Sequence, residues 1–321
     1  MPKYRHRLPL LSDRMFLTDG GLETTLIFHD GIELPFFAAF DLLKDDEGMR
    51  RLKRYYARHA AIAEAHGIGF VLESPTWRAS ADWGAKLGYS AAAIAAVNRR
   101  AIDLMVDLRE GCESPGSPMV ISGCVGPRGD GYDPGRVMSA DEAETYHAAQ
   151  IGTFADTEAD LVTAVTMTNV EEAIGVARAA ARAGMPAAIS FTLETDGRLP
   201  TGATLQDAIA AVDAASGRAP LYYMINCAHP THFTDVLASG EPWLQRLRGL
   251  RANASKRSHA ELDAAPDLDA GDPAELGNDY RKLLRLVPHV NILGGCCGTD
   301  HRHVEAICVA CGPMQRLDAA E

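Results

Sequence analysis

Eight short apolar runs, each followed by a longer amphipathic stretch, restrict this chain to a parallel α/β architecture, because parallel strands need a long, usually helical, crossover between them. The runs are Met15–Asp19, Gly69–Ser74, Met119–Val125, Asp160–Thr166, Ala187–Thr192, Leu221–Asn226, Leu250–Asn253 and Val290–Leu293. Their short length and β-branched content mark them as strands. Eight strand–helix units in about 300 residues fit a (β/α)8 TIM-type barrel better than an open doubly wound sheet. No internal repeat is visible.

The clearest helical patterns are Met49–His66, Ala91–Glu110, Ala140–Glu158, Val170–Ala183, Leu205–Ser216 and Glu275–Val287. Several stop near Gly or Pro, and Ser139 followed by Glu142 reads as a capping box. The polar segment 252–273 interrupts the alternation after the seventh strand, as either a disordered surface insertion or a lid on the barrel's active face. It requires no domain boundary. Residues 1–321 therefore read as a single barrel domain, with a frayed tail over 312–321.

The 321 residues are 47% hydrophobic, enough for a large core, and carry a formal charge of −12. That balance argues against a nucleic-acid or anionic-membrane surface and leaves a small-molecule substrate as the expectation. Met1 to Arg14 lacks an apolar leader core, and no run reaches membrane-spanning length, so a soluble, cytoplasmic protein is expected. Seven cysteines, two of them adjacent, do not suggest a disulfide framework; in a reducing compartment metal binding explains them better.

Cys227 ends Ile225-Asn226-Cys227 after the sixth strand, and Cys296 and Cys297 lie in Leu293-Gly294-Gly295-Cys296-Cys297-Gly298-Thr299-Asp300 after the eighth. Strand ends of a barrel gather at one mouth, which brings the three thiols together. Three thiolates suit zinc and leave a fourth tetrahedral position for a substrate. The competing readings are inert buried cysteines or a strained vicinal disulfide. A free thiol is mostly protonated at neutral pH, and coordination removes that proton. The implied reaction is attack by an activated thiolate on an electrophilic carbon, of which methyl transfer is the simplest case.

These stretches resemble the homocysteine S-methyltransferase family, whose relatives include betaine-homocysteine methyltransferase. The resemblance also runs through Asp19-Gly20-Gly21-Leu22-Glu23-Thr24, Gly123-Cys124-Val125-Gly126-Pro127 and Ser190-Phe191-Thr192, in order across nearly the whole chain. It implies a zinc-dependent barrel enzyme that moves a methyl group from a sulfonium or betaine donor to homocysteine, giving methionine. Cys227, Cys296 and Cys297 match the family's zinc ligands. Asp19 matches its strand-one aspartate, which takes part in holding the amino-acid substrate; alternatively Asp19 is a turn cap before Gly20-Gly21. The chain is too short for the cobalamin and folate domains of the large methionine synthases, so S-methylmethionine, S-adenosylmethionine or a betaine-like compound is the expected donor. Family barrels often pair, which makes a homo-oligomer possible.

The fourth strand departs from the family. Val165 stands where relatives commonly carry a Glu that helps bind the substrate's amino group. This departure admits a different small thiol or selenol acceptor, or a non-catalytic zinc or thiol sensor. Leu72-Glu73-Ser74-Pro75-Thr76-Trp77-Arg78 places three candidates at the mouth. Glu73 could supply the missing carboxylate, and Arg78 could bind a substrate carboxylate through its planar fork, unless the two pair with each other or face solvent. Trp77 either packs or faces a cationic donor. Asn226 either bonds a ligand sulfur or the substrate, or satisfies backbone groups as a strand-end amide. His229 and His232 are not needed as ligands, Cys308 and Cys311 form a CxxC without a partner pair, and the loop Gly126 to Tyr132 lacks a phosphate-binding ending.

Overall fold

The computed structural model describes residues 1–318, with side chains through Gly312. Eight parallel strands close into a barrel in sequence order. They are β1 (Phe16–Leu17), β2 (Gly69–Glu73), β3 (Met119–Val125), β4 (Leu161–Met167), β5 (Ala187–Thr192), β6 (Tyr222–Asn226), β7 (Leu247–Ala252) and β8 (Ile292–Gly295). Phe16 is in register with Gly69 on one side and with Ile292 on the other, which closes the ring. The main crossover helices are α1 (Asp46–His66), α2 (Ala91–Cys112), α3 (Ala140–Ala155), α4 (Val170–Arg182), α5 (Leu205–Ser216), α6 (Pro230–Leu237) and α7 (Pro273–Leu286), and α8 (His301–Asp318) follows β8. The capping box at Ser139 and Glu142 is present. Among the described residues no helix is long and apolar enough to cross a membrane.

Two apolar layers hold the barrel together. The larger lies between the strands and the helices and includes Leu17, Phe70, Ile121, Ala164, Ile189, Ile225 and Leu293. The smaller fills the lower barrel with Phe16, Val71, Val120, Leu161, Ala188, Tyr222, Met224 and Ile292, and Leu8 and Leu10 of the N-terminal segment pack into it. Alternation along each strand then fixes what faces inward one pleat higher: Glu73, Ser122, Thr163, Ser190 and Asn226. The interior is thus apolar at its floor and polar toward the C-terminal strand ends, where barrel sites form.

Several boundaries differ from those read in the sequence. β1 has two residues, β7 begins at Leu247 rather than Leu250, and β8 runs from Ile292 to Gly295. The segment 252–273 is ordered against the barrel mouth, with a short helix at His259–Asp263 and Asp263 in the wall of the mouth pocket. It is not a disordered insertion. Of the tail expected to fray, 312–318 belongs to α8, and 319–321 lie outside the described residues.

Candidate active site

The strand ends bring the three predicted metal cysteines together. Their Sγ atoms all lie within 4.8 Å of one another, and those of Cys227 and Cys297 are 3.9 Å apart. Cys227 reaches inward because its backbone takes a left-handed conformation, with φ 52°. For a residue with a Cβ that conformation costs about 1–3 kcal/mol and needs support from its surroundings. After β8 the glycines give room: a Cβ at Gly294 would strike Thr18 Oγ1, and one at Gly295 would strike Thr299 Oγ1. No disulfide joins the three clustered cysteines.

These thiols cannot all ionise unaided. Hydrogen bonds from Cys227 and Cys297, helped by Arg251 and Asn226, hold Cys296 well below the ordinary thiol range. The shared hydrogen bonds to Cys296 and Cys297, together with burial, push Cys227 well up. Cys297 also rises: its bond to Cys227 opposes the change, while Cys296 and burial outweigh it. Three converging soft donors of this kind suit a thiophilic divalent cation, whose charge is what allows all of them to act as thiolates.

Asp19 lies beside the cluster in a buried ion pair. Arg251 Nη2 donates to its Oδ1 at 2.7 Å and Tyr55 Oη to its Oδ2 at 3.1 Å. Each carboxylate oxygen retains room for a second donor. Burial opposes the Arg251 charge, but Asp19, Glu73 and Cys296 together raise its pKa. Arg251 went unassigned in the sequence because it sits among basic residues that read as surface, and the strand pattern does not separate it from Arg248.

Glu73 projects into the same pocket and is 5% exposed. Its Oε2 is buried with no hydrogen-bond partner. Burial pushes its pKa up to about 7, against the pull of Arg251. Glu23, also in the wall, is raised to about 7 by burial, with Asp19 and Cys296 adding to the effect. The strand-one motif by itself gives Glu23 no role.

Arg78 does not pair with Glu73 or face solvent. Its guanidinium lies between the rings of Trp77 and Trp83, 4.0 and 3.7 Å from their centroids. It donates from Nη1 to Gly129 O at 2.8 Å and from Nη2 to Asp130 at 3.4 Å, and burial lowers its pKa to about 10. Trp77 donates through Nε1 to Val165 O at 3.3 Å and shares the pocket wall with Arg78. Asn226 ties three strands: Oδ1 accepts from Thr166 N and Ser190 Oγ, and Nδ2 donates to Thr166 Oγ1 and lies 3.8 Å from Cys296 Sγ.

A bulge between Ala164 and Met167, with Thr166 at φ 65°, turns Val165 and Thr166 both into the pocket wall. The side chain at 165 is thus at the mouth and apolar. His229 caps α6 and His232 bonds Lys256 O, so neither joins the cysteines. Cys308 and Cys311 belong to α8 and are buried in the core against which it packs. Sequence reasoning missed His259, which lies in the polar segment; its Nε2 donates to Cys227 O at 2.6 Å.

The family model described as homocysteine S-methyltransferase matches residues 16–311. No curated protein matches the chain at a significant level of sequence similarity. Among solved structures the chain is similar to the homocysteine methyltransferase MmuM from Escherichia coli. The oxidized form is 20% identical with a TM-score of 0.73, covering 96% of this chain and 99% of that one. The metallated form is 19% identical with a TM-score of 0.72, covering 95% and 99%. The match over 16–311 takes in β1, the mouth loops and all three clustered cysteines, and on that ground the chain belongs to the homocysteine S-methyltransferase family and is a methyltransferase.

Proposed function

We propose that the protein transfers a methyl group from a cationic sulfonium or betaine-type donor to the thiol of homocysteine, with zinc held by Cys227, Cys296 and Cys297. The convergence of three Sγ atoms within 4.8 Å at the mouth carries this reading. When bound, zinc supplies the positive charge that lets an incoming thiol lose its proton and act as a nucleophile at neutral pH. The chain's own residues do the rest.

Asp19, fixed by Arg251 and Tyr55, offers its remaining lone pairs to the acceptor, and Glu73 offers an oxygen that no protein donor satisfies. Both favour an ammonium group. Arg78, locked between two indoles, presents a fixed cation to the acceptor's carboxylate. Phe37, Tyr56, Trp77 and Tyr132 add aromatic faces, and together with Glu23 they favour a cationic donor over an anionic one. Holding the sulfur and the methyl carbon in line supplies the remaining acceleration.

A second reading is favoured by one observation. The apolar Val165 lies in the pocket wall where the family commonly places a carboxylate, which suits an acceptor other than homocysteine, such as another small thiol or selenol. A mass-spectrometric screen of acceptors against onium donors, on protein purified without chelator, tests both. The first reading expects about one zinc per chain and methionine from homocysteine. Zinc-free protein with full activity would sink it, and methylation of another thiol in preference to homocysteine would select the second.

A further inference from the structure

We propose that His259 is a positioning residue that holds Cys227 in its ligating conformation, and that its stack on Tyr132 ties the third and seventh loops into a clasp over the thiol cluster. The proposal rests on the reading of the three cysteines as ligands of a divalent ion.

His259 is the first residue of the short helix His259–Asp263, and a capping box between Ser258 and Glu261 fixes that helix's start. The ring is 4% exposed. One imidazole reaches three loops besides its own. Nε2 donates to the Cys227 carbonyl at 2.6 Å, and Nδ1 lies 3.1 Å from Glu194 Oε1 beyond β5. Its face stacks on Tyr132 with centroids 4.0 Å apart and planes 14° from parallel. Tyr132 Oη in turn donates to Cys297 Sγ at 3.3 Å.

Cys227 needs such support because its φ of 52° lies in the left-handed region. A strained residue of this kind keeps its conformation only where neighbours over-determine it. The Cys227 N–H is already held by Arg251 O at 3.2 Å. His259 holds the other side of the residue through its carbonyl, with a longer bond from Thr192 Oγ1 at 3.4 Å. With N–H and C=O both pinned, the Cα–Cβ direction is fixed and Sγ points at Cys296 and Cys297 before any ion arrives. Without the ring, the carbonyl keeps only the longer Thr192 bond, and the ion must do more to organise the ligand it binds.

Partners that orient metal ligands typically contribute about 10–100-fold to affinity. The test compares wild type, His259→Leu and His259→Gln by Cd2+ titration against a competing chelator, reading the thiolate-to-cadmium absorption band. The leucine variant should bind Cd2+ about 10–100-fold more weakly. The glutamine variant, which keeps an N–H donor, should recover most of the loss, while the metal-free proteins unfold at similar temperatures. Wild-type affinity in the leucine variant, with an intact band, overturns the proposal. A wild-type protein that shows no such band removes the metal reading beneath it, and the proposal falls with it. Should the leucine variant fail to fold, Tyr132→Phe and Tyr132→Leu, which both lose the bond to Cys297 while only the first keeps the stack, carry the test: weaker Cd2+ binding in the leucine than in the phenylalanine variant supports the clasp, and equal binding overturns it.

Discussion

Two buried carboxylates at opposite ends of the barrel have been treated very differently. Asp160, just before β4 at the floor, accepts from Arg109 Nη1 at 3.0 Å, Ile121 N at 2.9 Å and Tyr4 N at 2.6 Å. Glu73, ending β2 at the mouth, leaves Oε2 with no donor. Burial raises the pKa of both, and in Glu73 it reaches about 7. A buried polar atom without a partner costs about 1–3 kcal/mol. The floor has met that cost within the fold, and the mouth has left it to be met by what binds there.

The comparison can be broken most severely at the cysteines. Replacing Cys227 or Cys296 by Ser should remove metal and lower turnover roughly a thousandfold, the scale of several kcal/mol of metal-derived stabilisation. Circular dichroism should stay unchanged, because the mouth contributes chemistry rather than closure. Asp160→Ala should do the reverse. Arg109 would keep only Glu158, at 3.5 Å, and the Ile121 and Tyr4 amides would lose their acceptor, at a cost of about 1–3 kcal/mol, read as a lower urea midpoint, while the folded fraction keeps its activity.

Glu73→Gln should raise KM for an amino-acid thiol by about ten- to a hundredfold, the worth of a charge-assisted hydrogen bond. A des-amino thiol acid should be affected far less, and equal effects on the two acceptors would remove Glu73 from ammonium binding. The pH dependence follows with a definite sign. Glu73 is ionised only above about 7, so kcat/KM for an amino acceptor should climb through that pH in wild type and lose that limb in the glutamine variant. Its raised pKa also means that the contribution of Glu73 itself to stability is fully present below the ordinary carboxylate value of 4.5 and is lost as pH rises toward about 7. Urea midpoints of the glutamine variant should therefore fall less over this window. The smallest effect is expected from Val165→Glu, a few-fold gain in homocysteine use, larger in the Glu73→Gln background, where it restores a carboxylate.

Much of this was legible in the sequence, for reasons that differ by residue. The eight strands stand out because parallel strands covered on both faces are almost continuously apolar. Cys296 and Cys297 announce themselves because the Gly-Gly turn that admits them is contiguous with them. Glu73 and Arg78 were found as charges at and just past the end of a strand, but Asp130 and Arg251, which lie near them, were not, since these come from distant segments. An inward-facing Arg in Arg248-Gly249-Leu250-Arg251 is indistinguishable by pattern from an outward-facing one: Arg248 bonds the N-terminal segment while Arg251 enters the mouth. His259 was hidden in a stretch whose polarity reads as surface, and only tertiary docking gives it a role.

The ring is closed by its ends. β1 pairs with β8 through Phe16 and Ile292, and the N-terminal segment is tied to the late strands by Asn291, which donates to Leu10 O, Ser12 O and Arg14 O, and by Arg248, which donates to Leu11 O and Ser12 O. During synthesis the first strand is made early and one of its two partners is made nearly last. Until then β1 presents an open edge, the feature by which nascent sheets pair wrongly with other chains. The yield of folded enzyme in a cell should therefore depend on how quickly the ribosome delivers the last strand, and slow codons late in the message should be costlier than the same codons early in it.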